Sequence, residues 1–221
     1  MNGTKRRKLS EILLELICPP RCPFCGKVLE REEDGLCARC QQSLPWTDET
    51  PDRVDFCDGC FSPLHYRDGV RRGIHRYKFR GGRCHSALFG TFMAQCLSDR
   101  WSEPADGIVW VPLTRRDRRR RGYDQAELLG RSVSEATGIP VLPALEKVRQ
   151  TATQSRLSGA SVRRANVLGA YRVREDCVLT GKRLILVDDV TTSGATLSEC
   201  AACLRMAGAE SVVGLTLARA R

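Results

Sequence analysis

The chain sets short, wholly apolar runs between longer segments in which apolar residues recur every three or four positions. Leu184-Ile185-Leu186-Val187 and Gly107-Ile108-Val109-Trp110-Val111-Pro112 are continuous apolar runs. They are too short for helices and predict strands of a parallel sheet covered on both faces. Ser211 to Ala218 predicts another strand and Leu64-His65-Tyr66 a short one. A weak strand is expected near Val141, then Leu145 to Arg149, and an edge strand at Tyr171 to Val173. Helical spacing predicts helices over Val70 to Phe79, Cys84 to Leu97 and Thr196 to Met206, the last stopped by Gly208. Asp124-Gln125-Ala126-Glu127 opens a further helix with Asp124 as N-cap. Near the start, Lys5-Arg6-Arg7-Lys8 precedes an apolar stretch, Leu9 to Ile17. Glu11 and Glu15 interrupt it and no small-residue cleavage site follows, so it predicts a short amphipathic helix capped by Ser10 rather than an export signal.

Strands alternating with helices predict an α/β fold, and 221 residues hold one such domain plus a smaller module. The expected division is an N-terminal helix and cysteine module over 1–66 and the α/β domain over 67–221. Pro45 to Asp55, polar and with two prolines, reads as a linker or ribbon edge. No segment approaches the roughly 18 apolar residues of a membrane span, so a cytoplasmic protein is expected. Seven of the twelve cysteines lie between Cys18 and Cys60, which favours metal over disulfides. Cys22-Pro-Phe-Cys25 and Cys37-Ala-Arg-Cys40 are two Cys-x2-Cys knuckles, and four thiolates satisfy tetrahedral Zn²⁺ in a closed, structural site. A third knuckle, Cys57-Asp-Gly-Cys60, lacks a partner pair. Cys18, His65 or another subunit's knuckle are candidates to complete a second zinc site with Cys57 and Cys60.

A formal charge of +10 favours an anionic partner. The charge is densest after the strand that ends at Pro112, in a loop with six arginines and one aspartate: Arg115, Arg116, Asp117, Arg118, Arg119, Arg120 and Arg121. Guanidinium forks suit a diphosphate or a nucleic-acid backbone. Lys78 and Arg80, beside Gly81-Gly82, are further candidate phosphate contacts. Thr151 to Asn166, including Gln154 to Ser158 and Arg163-Arg164, is basic and hydroxyl-rich, as a closing lid would be.

The densest chemistry follows Leu184–Val187. Asp188 and Asp189 lead into Val190-Thr191-Thr192-Ser193-Gly194-Ala195-Thr196. A loop rich in N–H and hydroxyl donors that opens a helix holds a phosphate. Two carboxylates would repel phosphate alone, but they suit the vicinal hydroxyls of a ribose 5-phosphate. This stretch resembles the 5-phosphoribosyl-1-pyrophosphate (PRPP) motif of type I phosphoribosyltransferases. In an open parallel sheet the strands ending at Pro112 and Asp189 both empty into the ligand crevice.

The whole chain resembles the ComF/GntX family of competence-protein-like phosphoribosyltransferases. The residues that carry the likeness are Pro20-Arg21-Cys22-Pro-Phe-Cys25, Tyr77-Lys78-Phe79-Arg80-Gly81, Val111-Pro112-Leu113, Arg121-Gly122-Tyr123-Asp124-Gln125-Ala126-Glu127, Gln154 with Arg164-x-Asn166, and the PRPP loop. The resemblance implies a zinc ribbon followed by a type I phosphoribosyltransferase domain. It also implies a role in DNA uptake through single-stranded DNA, with competence helicase machinery as a candidate partner. Asp188 and Asp189 would hold the ribose hydroxyls, and Thr192, Ser193, Gly194, Ala195 and Thr196 the 5-phosphate. Mg²⁺ would bridge pyrophosphate and ribose oxygens, and Arg121 would stabilise charge on the departing pyrophosphate. Arg115, Arg116, Arg118, Arg119, Arg120 and Arg164 are the expected nucleic-acid contacts. The resemblance does not itself supply a transferase reaction. Its main competitor is an active phosphoribosyltransferase of nucleotide metabolism with no DNA role, and a purine-type transcriptional regulator is a third reading. Many members carry four Cys-x2-Cys pairs where this chain has three. The 6-oxopurine enzymes place an Asp at the position of Thr192, so purine salvage is disfavoured here, whereas orotate-type enzymes tolerate Thr.

Overall fold

The computed structural model describes residues 19–79, 82–151 and 159–220. The helix expected over Leu9 to Ile17, together with Cys18, Arg80 and Gln154 to Ser158, lies outside the described residues.

Among the described residues seven strands are formed: β1 (Gly59–Phe61), β2 (Leu64–His65), β3 (Gly107–Trp110), β4 (Leu145–Lys147), β5 (Tyr171–Val173), β6 (Arg183–Thr191) and β7 (Ser211–Arg219). The main sheet is parallel in the order β1-β7-β6-β3, with β2 also on β7. β4 and β5 make a separate antiparallel pair. The helices are α1 (Ala38–Ser43), α2 (Asp68–Phe79), α3 (Ser86–Arg100), α4 (Arg115–Arg121), α5 (Gln125–Thr137), α6 (Ala160–Val167) and α7 (Ala195–Met206).

The apolar run in β6 has a direct cause. Successive side chains point to opposite faces, and both faces are covered. Ile185 and Val187 pack with Phe89 and Met93 of α3 and Leu129 and Val133 of α5. Leu184 and Leu186 pack with Leu197, Cys200 and Leu204 of α7. β6 therefore has no water-facing side until it passes the ends of these helices, where the carboxylates begin.

The arginine run is a helix and not the expected loop. Thr114 caps it, its Oγ1 accepting the Asp117 amide at 3.1 Å. Gly122, at φ 81°, closes it in the left-handed region with its N–H on the Arg118 carbonyl. Arginine is itself a good helix former. Part of the mutual repulsion of the arginines is relieved within the protein, by Arg118–Glu127 at 3.1 Å and Arg120–Asp117 at 2.8 Å.

Residues 59–65 lie before the expected boundary at 66/67, yet β1 and β2 are hydrogen-bonded into the main sheet. The cysteine turn shares a core with the sheet. Phe24 is buried against Phe89, with ring centroids 5.7 Å apart, and lies under α2 at Gly73. Arg76 of α2 donates to the Pro23 carbonyl at 2.8 Å.

Candidate functional site

The period of two along β6 decides what the adjacent carboxylates do. Asp189 continues the face of Ile185 and Val187 and meets Lys78 of α2, with Nζ–Oδ1 at 2.9 Å. Asp188 continues the face of Leu184 and Leu186, and the groups that sense its charge include Cys200, Lys147 and Tyr171. The pair straddles the sheet end, and the Asp189 amide donates to Asp188 Oδ1 at 2.8 Å. Burial, then the neighbouring Asp189, pushes the Asp188 carboxyl up to about 8, against the pull of Lys78. Burial would lower the Lys78 ammonium, but Asp189 outweighs it and Lys78 is raised.

Lys78 is fixed through its neighbour. Tyr77 is buried in the core, and its hydroxyl donates to the Gln125 carbonyl at 3.0 Å. The Tyr123 hydroxyl donates back to the Tyr77 carbonyl. α2 is thereby tied to the start of α5. Asp124, the N-cap expected there, accepts the Leu113 amide at 2.8 Å and the Glu127 amide at 3.4 Å, so the end of β3 and the start of α5 meet on one carboxylate.

Beyond Thr191 the chain turns through Thr192 and Ser193 to Gly194. At φ 75°, Gly194 starts α7 in a conformation that a β-carbon would strain. Val54 stands behind it, 3.1 Å from where that carbon would lie. The first turn of a helix leaves amides without intrahelical partners. Here that turn borders a cavity of about 1010 Å³.

The cavity brings together Lys78, Asp188, Asp189, Thr192, Ser193, Gly194, Ala195, Thr196, Arg120 and Arg121 from the expected set. Arg121 is half-buried and donates to Gln125 Oε1 at 2.7 Å. Its buried Nε has no hydrogen-bond partner, and its guanidinium lies 5.1 Å from the Phe79 ring centroid. Arg115, Arg116, Arg118 and Arg119 are exposed on α4 and do not line the cavity. Nor does Arg164, which pairs with Asp55 at 2.9 Å; its neighbour Arg163 does.

Several lining residues escaped the sequence reading. Lys147, Gln150 and Tyr171 come from the β4–β5 side. Lys147 reaches Thr151 Oγ1 at 2.8 Å and lies 5.1 Å over the Tyr171 ring, and burial lowers its ammonium. Arg71, Arg72 and Arg76 line the mouth from α2. Their i, i+1, i+5 spacing marks one helix face and was the available signal.

The four sulfurs of Cys22, Cys25, Cys37 and Cys40 lie within 4.8 Å of one another, Cys25 and Cys37 at 3.6 Å. Tetrahedral zinc, with bonds of about 2.3 Å, sets its sulfurs roughly 3.8 Å apart, so this group fits the ion. Burial raises the Cys22 thiol, but the amides of Cys37, Cys25 and Phe24 outweigh it and bring it down to about 7. Such N–H donors favour a thiolate. Among the described residues this is the only metal-ligating group of three or more His, Cys or carboxylate residues. Cys60 instead lies in β1, with Cys57 packed against the same core as Leu184 and Leu186. Burial pushes Cys57 up to about 12 and Cys60 well above the usual thiol range.

Among the described residues no helix is long and apolar enough to cross a membrane. No protein-family model matches the chain. The chain is 30% identical to competence protein F of Haemophilus influenzae, over 90% of this chain and 97% of that protein. It is 34% identical to DNA utilization protein YhgH of Escherichia coli K12, over 86% and 80%. It is 27% identical to competence protein ComFC of Streptococcus pneumoniae, over 90% and 87%. Among solved structures, glutamine PRPP amidotransferase from B. subtilis is 23% identical, with a TM-score of 0.43, over 63% of this chain and 29% of that one. Phosphoribosylpyrophosphate synthetase from Mycobacterium smegmatis is 19% identical, with a TM-score of 0.32, over 58% and 33%.

Proposed function

The chain belongs to the family of competence protein F and the DNA utilization proteins, and from that premise we propose that it is a phosphoribosyltransferase-like protein that binds PRPP with Mg²⁺ and handles single-stranded DNA. One observation carries the reading: Asp188 and Asp189, at the end of the central strand, share one cavity with the loop that opens α7. Carboxylates and amide donors side by side suit a ligand with a diol at one end and a phosphate at the other.

In this reading Asp188 and Asp189 accept from the ribose hydroxyls. The hydroxyls of Thr192, Ser193 and Thr196 and the first-turn amides of α7 hold the 5-phosphate. Arg121, with its unpartnered Nε, meets the diphosphate. Lys78 neutralises Asp189 without ligand and is placed to turn to the anion when the diol arrives. Mg²⁺ bound with the diphosphate would spread charge over the leaving group, and Asp188 and Asp189 are hard oxygen donors of the kind it accepts. Asp188→Asn with Asp189→Asn should abolish PRPP binding. Unchanged affinity by calorimetry would remove the basis of the reading.

The exposed side of α4 supports the DNA half. Arg115, Arg116 and Arg119 have no ion pair among the described residues and stand in solvent beside the cavity. Each phosphate neutralised on a single strand contributes about 0.7 to the slope of log affinity against log salt. Arg118, Arg119 and Arg120 replaced together by Ala should lower that slope by about 2; an unchanged slope means that the strand lies elsewhere.

A further inference from the structure

We propose that the acceptor met by the phosphoribosyl ligand is an unpaired base of single-stranded DNA, held at the cavity mouth by its backbone, and that the protein N-phosphoribosylates that base. The inference rests on the PRPP reading above and adds the substrate class.

Three observations carry it. The first is size. Small-molecule sites run to about 300–1,000 Å³, and this cavity reaches about 1010 Å³. A phosphorylated pentose leaves room for a second, larger body. The second is charge. Arg71 and Arg72 of α2, Arg163 of α6 and Arg120 of α4 line the same cavity from three helices. Arg120 already pairs with Asp117 at 2.8 Å; with the 5-phosphate on the α7 loop and the diphosphate on Arg121, Arg71 and Arg72 are left to meet a further anion. A free nucleobase carries no phosphate to offer them, whereas a strand offers one per nucleotide. The third is the surface at the rim. Phe79 is 52% exposed and lines the cavity. The Arg121 guanidinium covers part of its ring at 5.1 Å, and the His75 ring is tilted beside it at 4.9 Å. An exposed aromatic next to a guanidinium stacks any base, and such stacking is worth about 1–3 kcal/mol.

The step balances without a further reagent. The bond from the anomeric carbon to diphosphate oxygen breaks, and its electron pair leaves with the diphosphate. A base nitrogen that carries hydrogen donates its lone pair to that carbon. The nitrogen's proton passes to water. The products are a phosphoribosylated strand, diphosphate and a proton.

The test uses the full chain with PRPP and Mg²⁺. Diphosphate release is followed with a single-stranded oligonucleotide, its duplex, free nucleobases or no acceptor, and the oligonucleotide is weighed by mass spectrometry. The single strand should raise release at least tenfold over the other three and gain the mass of one phosphoribosyl group. Phe79→Ala should lower the stimulated rate about tenfold, and Phe79→Trp should restore it. Equal release with every acceptor, or an oligonucleotide of unchanged mass, overturns the inference when calorimetry on the same preparation shows PRPP bound. If PRPP does not bind, the underlying reading has failed and this one falls with it.

Discussion

Replacing Asp188 by Asn should make the protein more stable while removing its ligand. In the folded chain burial and Asp189 raise this carboxyl to about 8, from an ordinary value near 3.8. A carboxyl raised on folding binds a proton in the native state that the unfolded chain has already released. The contribution of this group to native stability therefore falls as pH rises, beginning near pH 4 and levelling off above about pH 8. The rise of this carboxyl sets an upper limit of roughly 6 kcal/mol on the effect. Asp188 keeps one side on the cavity, so water screens part of this, and about 3 kcal/mol is the expected loss between the two ends of the window. Asn has the shape of the protonated acid and no charge. Asp188→Asn should match wild type near pH 4 and exceed it by about 3 kcal/mol near pH 8.5, the gap between the two profiles widening through the window. Urea denaturation of both proteins across this range, with PRPP absent, reads the difference directly. A variant no more stable than wild type at pH 8.5, or a gap between the two that does not widen as pH rises, refutes the reasoning.

Two further outcomes are expected. Metal analysis should find about one zinc per chain, and chelation should unfold the segment around Cys22–Cys40, because such sites supply on the order of 10 kcal/mol to small modules; a metal-free chain with an unchanged melting curve contradicts the assignment. Gly73→Ala would bring a methyl to 2.9 Å from Phe24 Cδ1 and 3.1 Å from the Pro23 carbonyl, so a loss of about 1–3 kcal/mol is expected, read as a fall in melting temperature; no change would mean that the cysteine turn gives way freely.

Much of the fold was legible where one local signal sufficed. The apolar run of β6 was legible because both its faces are covered, and the start of α5 because Asp124 caps it. The other expected strands that form, β2, β3, β4, β5 and β7, and the helices α2, α3 and α7 follow the same logic of period and stop. The arginine helix was hidden by its composition, since seven charged residues read as a loop facing an anionic ligand while Thr114 and Gly122 on either side carried the helical information. β1 was hidden because Cys57 and Cys60 have the spacing of a metal knuckle, and only the pairing with β7 makes Cys60 a sheet residue. The Lys78–Asp189 contact joins segments far apart in sequence, and no periodicity encodes it. The twin aspartates could have been placed on opposite faces from the strand period alone.

β7 has three partners, since β1, β2 and β6 all hydrogen-bond to it. It also follows every other strand of the main sheet in the sequence. During synthesis β1 and β2 therefore leave the ribosome with no edge to join, and must wait while β3 to β6 and α7 are made. Until Ser211–Arg219 appears, the cysteine-bearing segment has no strand to join and β6 is paired on its β3 side alone, so both stay exposed to chaperones and proteases. A ribosome that stalls shortly before this point would release a chain with no completed sheet, and a chain cut there should be cleared rather than function at a reduced level.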